Sequence, residues 1–163
     1  MITGSLSRKG KIMDKIESFK INHNTLERGI YISRIDGDIT TYDIRMKKPN
    51  GGDYLENAAM HTIEHLFATF ARNSEFKNEI IYFGPMGCRT GFYFLVRNVK
   101  KEEVIALVKK TFDFIADYSG DIPGVSKIEC GNYLEHNLEN AKREAREMQK
   151  VLADYRVEGL KYV

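Results

Sequence analysis

The chain is poor in three things, and each scarcity excludes something. No stretch approaches the roughly eighteen consecutive apolar residues that a membrane-spanning helix needs, so no spanning segment is expected. Charge of one sign is also lacking: 25 basic side chains stand against 23 acidic ones, and a net charge of +2 leaves no electrostatic footprint for nucleic acid. Cysteines number only two. The stretch from Met1 to Lys15 carries basic residues without an apolar h-region, so it does not read as a secretory signal. Its Ser5, Ser7, Arg8, Lys9, Gly10 and Lys11 give it the look of a mobile tail. Without an export signal the cysteines are expected as free thiols or metal ligands rather than a disulfide, and the protein as cytoplasmic. There is no internal repeat and no low-complexity segment.

What is present suits one ordinary globular domain over residues 16–163, with 42% hydrophobic and 29% charged residues. Ile16 to Asn24 alternates loosely. Gly29–Ile35 and Ile39–Met46 are rich in β-branched and aromatic residues and read as strands, joined by a tight Asp36-Gly37-Asp38 turn. On the second of them Ile39, Thr41, Asp43 and Arg45 share one face. A helix is expected from about Leu55 to Arg72, short strands at Ile80–Phe83 and Gly91–Val96, and an amphipathic helix over Lys101–Tyr118. A last helix carries an apolar stripe from Leu134 through Leu138, Ala141, Ala145, Met148 and Leu152 to Tyr155. Its charged face, including Glu144, is expected to be solvated. The elements do not alternate as βαβ units, so the expected fold is α+β, a mostly antiparallel sheet with helices packed on it.

The chemistry gathers at His61-Thr62-Ile63-Glu64-His65. Two of the four histidines stand four apart, and on a helix that spacing stacks both rings on one face in reach of a single metal ion. Glu64 projects close by. H-x-x-E-H is the inverted zincin order. Histidine pairs also occur on solvated faces, but Leu66, Phe67, Ala68 and Phe70 place this one on a largely packed helix. A catalytic site of this kind usually has three protein ligands and an open position, and the third can come from Cys130, Cys88, His23, His136 or a carboxylate. Cys130 lies in a Glu-Cys-Gly context ahead of a helix, where the thiolate would be favoured, and a small buried hydrophobe is its alternative. Cys88 sits in a turn between Gly87 and Gly91, where Arg89 beside it would favour a thiolate that acts as nucleophile or base, and a passive loop cysteine is its alternative.

Taken together, His61-Thr62-Ile63-Glu64-His65, Pro85-Met86-Gly87-Cys88-Arg89-Thr90-Gly91-Phe92-Tyr93 and Glu129-Cys130-Gly131 closely resemble the S-ribosylhomocysteine lyase family, the autoinducer-2 synthase LuxS. Glu17-Ser18-Phe19 with His23, Tyr42-Asp43-Ile44-Arg45 and Asn137 to Lys142 extend the likeness over nearly the whole chain. The resemblance implies a homodimer with its active sites at the interface, built from both chains. It implies His61, His65 and Cys130 as ligands of a metal, ferrous iron by nature and often replaced by zinc or cobalt. It also implies Glu64 and Cys88 as the acid/base pair, and Ser18, His23 and Arg45 as substrate-pocket residues. The implied reaction splits S-ribosylhomocysteine into homocysteine and 4,5-dihydroxy-2,3-pentanedione. One departure stands out: family members usually carry an acidic residue shortly before the Pro of Pro-Met-Gly-Cys, and Ile80-Ile81-Tyr82-Phe83-Gly84 offers none. The rival readings are an inverted-zincin peptidase and a non-catalytic domain with a closed, four-ligand metal site.

Overall fold

The computed structural model describes residues 13–163, so most of the tail expected over residues 1–15 lies outside the described residues. In chain order the elements are α1 (Glu17–Lys20), β1 (Gly29–Asp36), β2 (Ile39–Arg45), α2 (Asn57–Arg72), β3 (Ile80–Pro85), β4 (Gly91–Arg97), α3 (Lys101–Ala116) and α4 (Leu138–Leu152), followed by a 3-10 turn at Val157–Leu160. The strands form one antiparallel sheet in the order β1-β2-β4-β3, an α+β arrangement. Asp36 pairs with Ile39 across Gly37, whose φ of +61° supplies the positive backbone angle that a two-residue hairpin needs.

Strand periodicity sends Tyr42 and Ile44 of β2, with Phe92 and Phe94 of β4, to one face of the sheet, where all four are buried. Onto that face α2 sets Ile63, Leu66 and Phe67, and the Phe67 ring stacks on Phe83 of β3 at 3.8 Å. Val104, Val108, Phe112 and Ile115 of α3 and Ala141, Ala145 and Met148 of α4 complete the core. Close approach of β4 to β2 depends on Gly91, because a Cβ there would stand 2.2 Å from the Ile44 carbonyl oxygen.

The opposite face of the sheet is not simply solvated. Asp43 and Arg45 point into it and are buried, beneath the C-terminal segment, whose Tyr162 ring stacks on Tyr31 of β1 at 4.9 Å. Three further expectations are corrected at α4. The helix begins at Leu138, not Leu134, because the Asn137 side chain caps it by accepting the Asn140 N–H at 3.0 Å. Leu134 lies before the cap and is 80% exposed. At the other end Tyr155 leaves the helix, and its hydroxyl reaches the carbonyls of Ile30 and Gly159. Within the charged face, Glu144 is buried and pairs with Lys47 at 2.9 Å.

Candidate metal and thiol site

Helix α2 presents His61 and His65 side by side, ring centroids 4.6 Å apart and planes nearly perpendicular. Each ring is oriented by a backbone carbonyl from the loops between α3 and α4. His61 Nδ1 donates to the Glu135 carbonyl and His65 Nδ1 to the Pro123 carbonyl, both at 2.8 Å. A carbonyl only accepts, so both protons reside on Nδ1 and both Nε2 atoms keep a free lone pair. Gly124 lets its loop come this close, for a Cβ there would lie 3.3 Å from His65 Nδ1 and its φ is +73°.

Cys130 comes from the same loop region and places its sulfur 3.4 Å from His61 Nε2 and 3.9 Å from His65 Nε2. It does not stand at a helix N-terminus, since α4 starts only at Leu138. The backbone N–H that donates to its sulfur is that of Asn132, at 3.4 Å. His136, one of several residues open as a third ligand, joins this group. Its ring stacks on His61 at 3.9 Å. The Thr62 hydroxyl donates to the Ala58 carbonyl at 3.0 Å, so its 3.0 Å contact with His136 Nδ1 is that of an acceptor. His136 therefore also carries its proton on Nδ1, and its Nε2 is buried without a partner. Burial above all, then His61 and His65, pulls the His136 pKa down to about 4, so the ring is neutral.

Donor atoms of His61, His65, Cys130 and His136 all lie within 4.8 Å of one another. Three imidazoles with lone pairs free at Nε2 and one thiol sulfur form a set that suits a transition metal. Glu64, between the two helical histidines in sequence, is half-buried, and among the described residues its carboxylate accepts no hydrogen bond.

Cys88 belongs to a second cluster on the β3–β4 turn. Its cation is not Arg89, which donates to the Leu55 carbonyl at 3.4 Å and lies over the Tyr54 ring. Arg45 takes that place. Its Nη1 is 3.9 Å from the Cys88 sulfur and donates to Thr90 Oγ1 at 2.7 Å. The rest of the guanidinium grips Asp43, with Nε at 3.1 Å and Nη2 at 2.6 Å from the two carboxylate oxygens. Burial works against the Arg45 charge, and the bonds to Asp43 outweigh it, raising its pKa. Asp43 and Thr90 lie inside stretches that carry the family likeness, and the two-residue strand period puts Asp43 beside Arg45, but neither signal pointed to their contacts with Arg45.

Ser18 lines a cleft of about 400 Å³ together with Glu17, Ser33, Arg34, Tyr82 and Tyr93. His23 lies elsewhere along the N-terminal segment, half-buried, its Nδ1 donating to the Ile21 carbonyl at 2.9 Å. The pocket residues expected from the sequence are thus spread over three settings, with Arg45 in the buried ion pair. Tyr82, on the stretch that lacks the acidic residue, lies across Gly84; a Cβ at Gly84 would meet the tyrosine ring and hydroxyl.

Residues 16–158 match the profile of a family described as S-ribosylhomocysteinase (LuxS). A protein of Finegoldia magna named S-ribosylhomocysteine lyase is 50% identical over 155 residues, covering 92% of this chain and 99% of the relative. A lyase of the same name from Borreliella afzelii is 49% identical over 156 residues with the same coverage. Another from Clostridium acetobutylicum is 44% identical over 156 residues, again at 92% and 99%. No helix among the described residues is long and apolar enough to cross a membrane.

Proposed function

The chain belongs to the S-ribosylhomocysteinase (LuxS) family and is an S-ribosylhomocysteine lyase; we propose that it works with His61, His65 and Cys130 as metal ligands and Glu64 and Cys88 as its acid/base pair. The observation that carries this reading is the convergence of two Nε2 lone pairs and the Cys130 sulfur on one face of α2, the helix that also carries Glu64. When bound, a divalent metal there supplies Lewis acidity to the oxygen functions of the sugar. The donors suit iron, zinc or cobalt, and Fe(II) is the metal we assign.

The protein residues then move protons. Cleavage without net redox change requires the sugar carbonyl to migrate along the chain, each migration removing a proton from carbon on one side and returning it on the other. Two groups able to take up and return a proton are needed, and the Glu64 carboxyl and Cys88 sulfhydryl are assigned to that task. Once the carbonyl stands two carbons from the sulfur-bearing CH₂, removal of the intervening C–H proton breaks the C–S bond. Homocysteine leaves as its thiolate, and the remaining five carbons become 4,5-dihydroxy-2,3-pentanedione. Arg45 and Thr90 act on Cys88: because the Thr90 oxygen accepts from Arg45, its own proton is free to donate to the sulfur 3.0 Å away. Both donors therefore face the sulfur of the residue assigned to proton transfer.

Ser18, in the cleft with Tyr93, is assigned to the substrate pocket, as are His23 and Arg45. The Arg45 donors are committed to Asp43, Thr90 and Cys88, so its contribution to the pocket is exercised through the thiol. We assign the active unit as a homodimer with its sites at the interface. In support, exposed Ile16, Phe19, Ile35 and Tyr82 supply apolar surface on the N-terminal segment, β1 and β3, and two of them, Ile16 and Tyr82, line the Ser18 cleft. The location assigned to it is the cytoplasm. Peptidase activity is not favoured, since the relatives are named as lyases and a peptidase has no use for Cys88. A free-thiol assay on S-ribosylhomocysteine beside a peptide-cleavage assay, with metal counted on the same anaerobically purified sample, tests the reading. Thiol release alone supports it; peptide cleavage without thiol release contradicts it.

A further inference from the structure

A hydrogen-bond chain runs from Tyr162, after the last 3-10 turn, to the Cys88 thiol. The Tyr162 hydroxyl donates to Asp43 Oδ2 at 2.7 Å. That oxygen also accepts from Arg45 Nη2 at 2.6 Å, and the other Asp43 oxygen accepts from Arg45 Nε at 3.1 Å. Arg45 Nη1 turns the opposite way, to Thr90 Oγ1 at 2.7 Å and toward Cys88 Sγ at 3.9 Å, and Thr90 contacts the same sulfur at 3.0 Å. Asp43 is wholly inaccessible and Arg45 is 2% exposed, so water does not screen the pair.

In such a setting the field that Arg45 projects at Cys88 depends on how far Asp43 offsets it. Among the described residues, Tyr162 is the side chain besides Arg45 that donates to Asp43. Its proton draws charge away from the guanidinium side of the carboxylate and fixes the plane in which Arg45 is held. Burial, then Asp43, raises the Tyr162 pKa, so the hydroxyl stays a donor across the working range. Other groups face the two ends of the chain. Tyr93 of β4 and the turn residues Thr90 and Arg89 lie by Cys88, while Tyr31 and Ser33 of β1 lie by Tyr162. Arg89 is turned away to Leu55, and the Tyr31 hydroxyl donates to the Glu27 carbonyl at 2.9 Å.

We propose that Tyr162 is a positioning residue for the lyase reaction, holding Cys88 in its reactive thiolate form through Asp43 and Arg45. The proposal rests on the reading of Cys88 as an acid/base residue. No step of the chemistry passes through Tyr162, whose part is the charge balance of a thiol it does not touch.

The test is the pH profile of Cys88 alkylation by iodoacetamide in the full-length, metal-loaded protein, read on the Cys88 peptide by mass spectrometry so that Cys130 does not contribute. Tyr162→Phe keeps the ring on Tyr31 and removes only the donor. Its profile is displaced to higher pH by roughly half a unit, so that on the acid limb of the profile alkylation is about threefold slower. Deletion of Tyr162 and Val163 displaces the profile at least as far. Tyr31→Phe, which strips a hydroxyl from the same stack without touching Asp43, keeps the wild-type profile. Superimposed profiles for wild type, Tyr162→Phe and the deletion would overturn the proposal. So would an equal displacement in Tyr31→Phe, which would mark a loss of packing. Because alkylation is read without turnover, these outcomes stand apart from the failure of Cys88 itself, which shows as activity in Cys88→Ala.

Discussion

At the scale of single residues, the site is defined by where protons are held. His61, His65 and His136 each have Nδ1 against an oxygen, so all three present a bare Nε2 to the same space. Thr62 serves this arrangement twice, accepting from His136 Nδ1 and from the Asn137 N–H at 3.0 Å while its own proton goes to Ala58. Thr62→Val keeps the shape and removes the oxygen. By loosening the loop that carries Cys130, Glu135 and His136, it is expected to weaken metal binding by up to roughly tenfold, measured by competition with a chromogenic chelator. Unchanged metal affinity would show that the loop around His136 is held without Thr62. His61 and His65 were legible in the sequence because helical spacing is local and rigid. Cys130 was one of several possible third donors, since its meeting with α2 depends on a chain reversal 65 to 69 residues away. Arg89 was the misleading neighbour. Adjacency in sequence suggested it for Cys88, whereas the antiparallel register of β2 and β4, which pairs Arg45 with Gly91, brings in Arg45.

At the scale of elements, α2 and the two inner strands do most of the positioning. The sheet and the helices on it were readable from periodicity, and the hairpin turn from Asp-Gly. Boundaries failed where a side chain intervenes. The apolar stripe of α4 continued through Leu134 in the sequence, yet Asn137 ends the helix and releases residues 130–137 to carry Cys130, Glu135 and His136 to the site. Burial on the second sheet face was hidden as well, because Asp43 and Arg45 look like solvated strand residues until the C-terminal Tyr162 covers them. Gly91 joins fold and chemistry, three residues after Cys88, at the point where β4 meets β2. Gly91→Ala sets a Cβ 2.2 Å from a backbone oxygen that cannot rotate away, so roughly 1–3 kcal/mol of stability should be lost, read from the urea midpoint. Displacing Arg45 from Cys88 follows from the same widening. A midpoint within error of wild type would mean that the strands part without cost.

At the scale of the whole molecule, one chain carries two clusters, a metal-facing group on α2 and its loops and a thiol group on the sheet. In the assigned homodimer the site draws on both chains. Glu64→Gln and Cys88→Ala, each inactive alone, are then expected to restore roughly a quarter of wild-type activity when mixed at random, because half the dimers are mixed and each has one intact site of two. No recovery in mixtures shown to exchange subunits would place Glu64 and Cys88 of each site on the same chain. The central claim, however, is that metal and thiol are separate parts of one lyase site. It is tested most directly by homocysteine release from S-ribosylhomocysteine by Cys88→Ala, with metal counted on the same sample. The account predicts wild-type metal content and a rate lowered about a hundredfold or more, the scale of a lost general acid/base. Full activity in that variant, or loss of the metal along with the thiol, would contradict it.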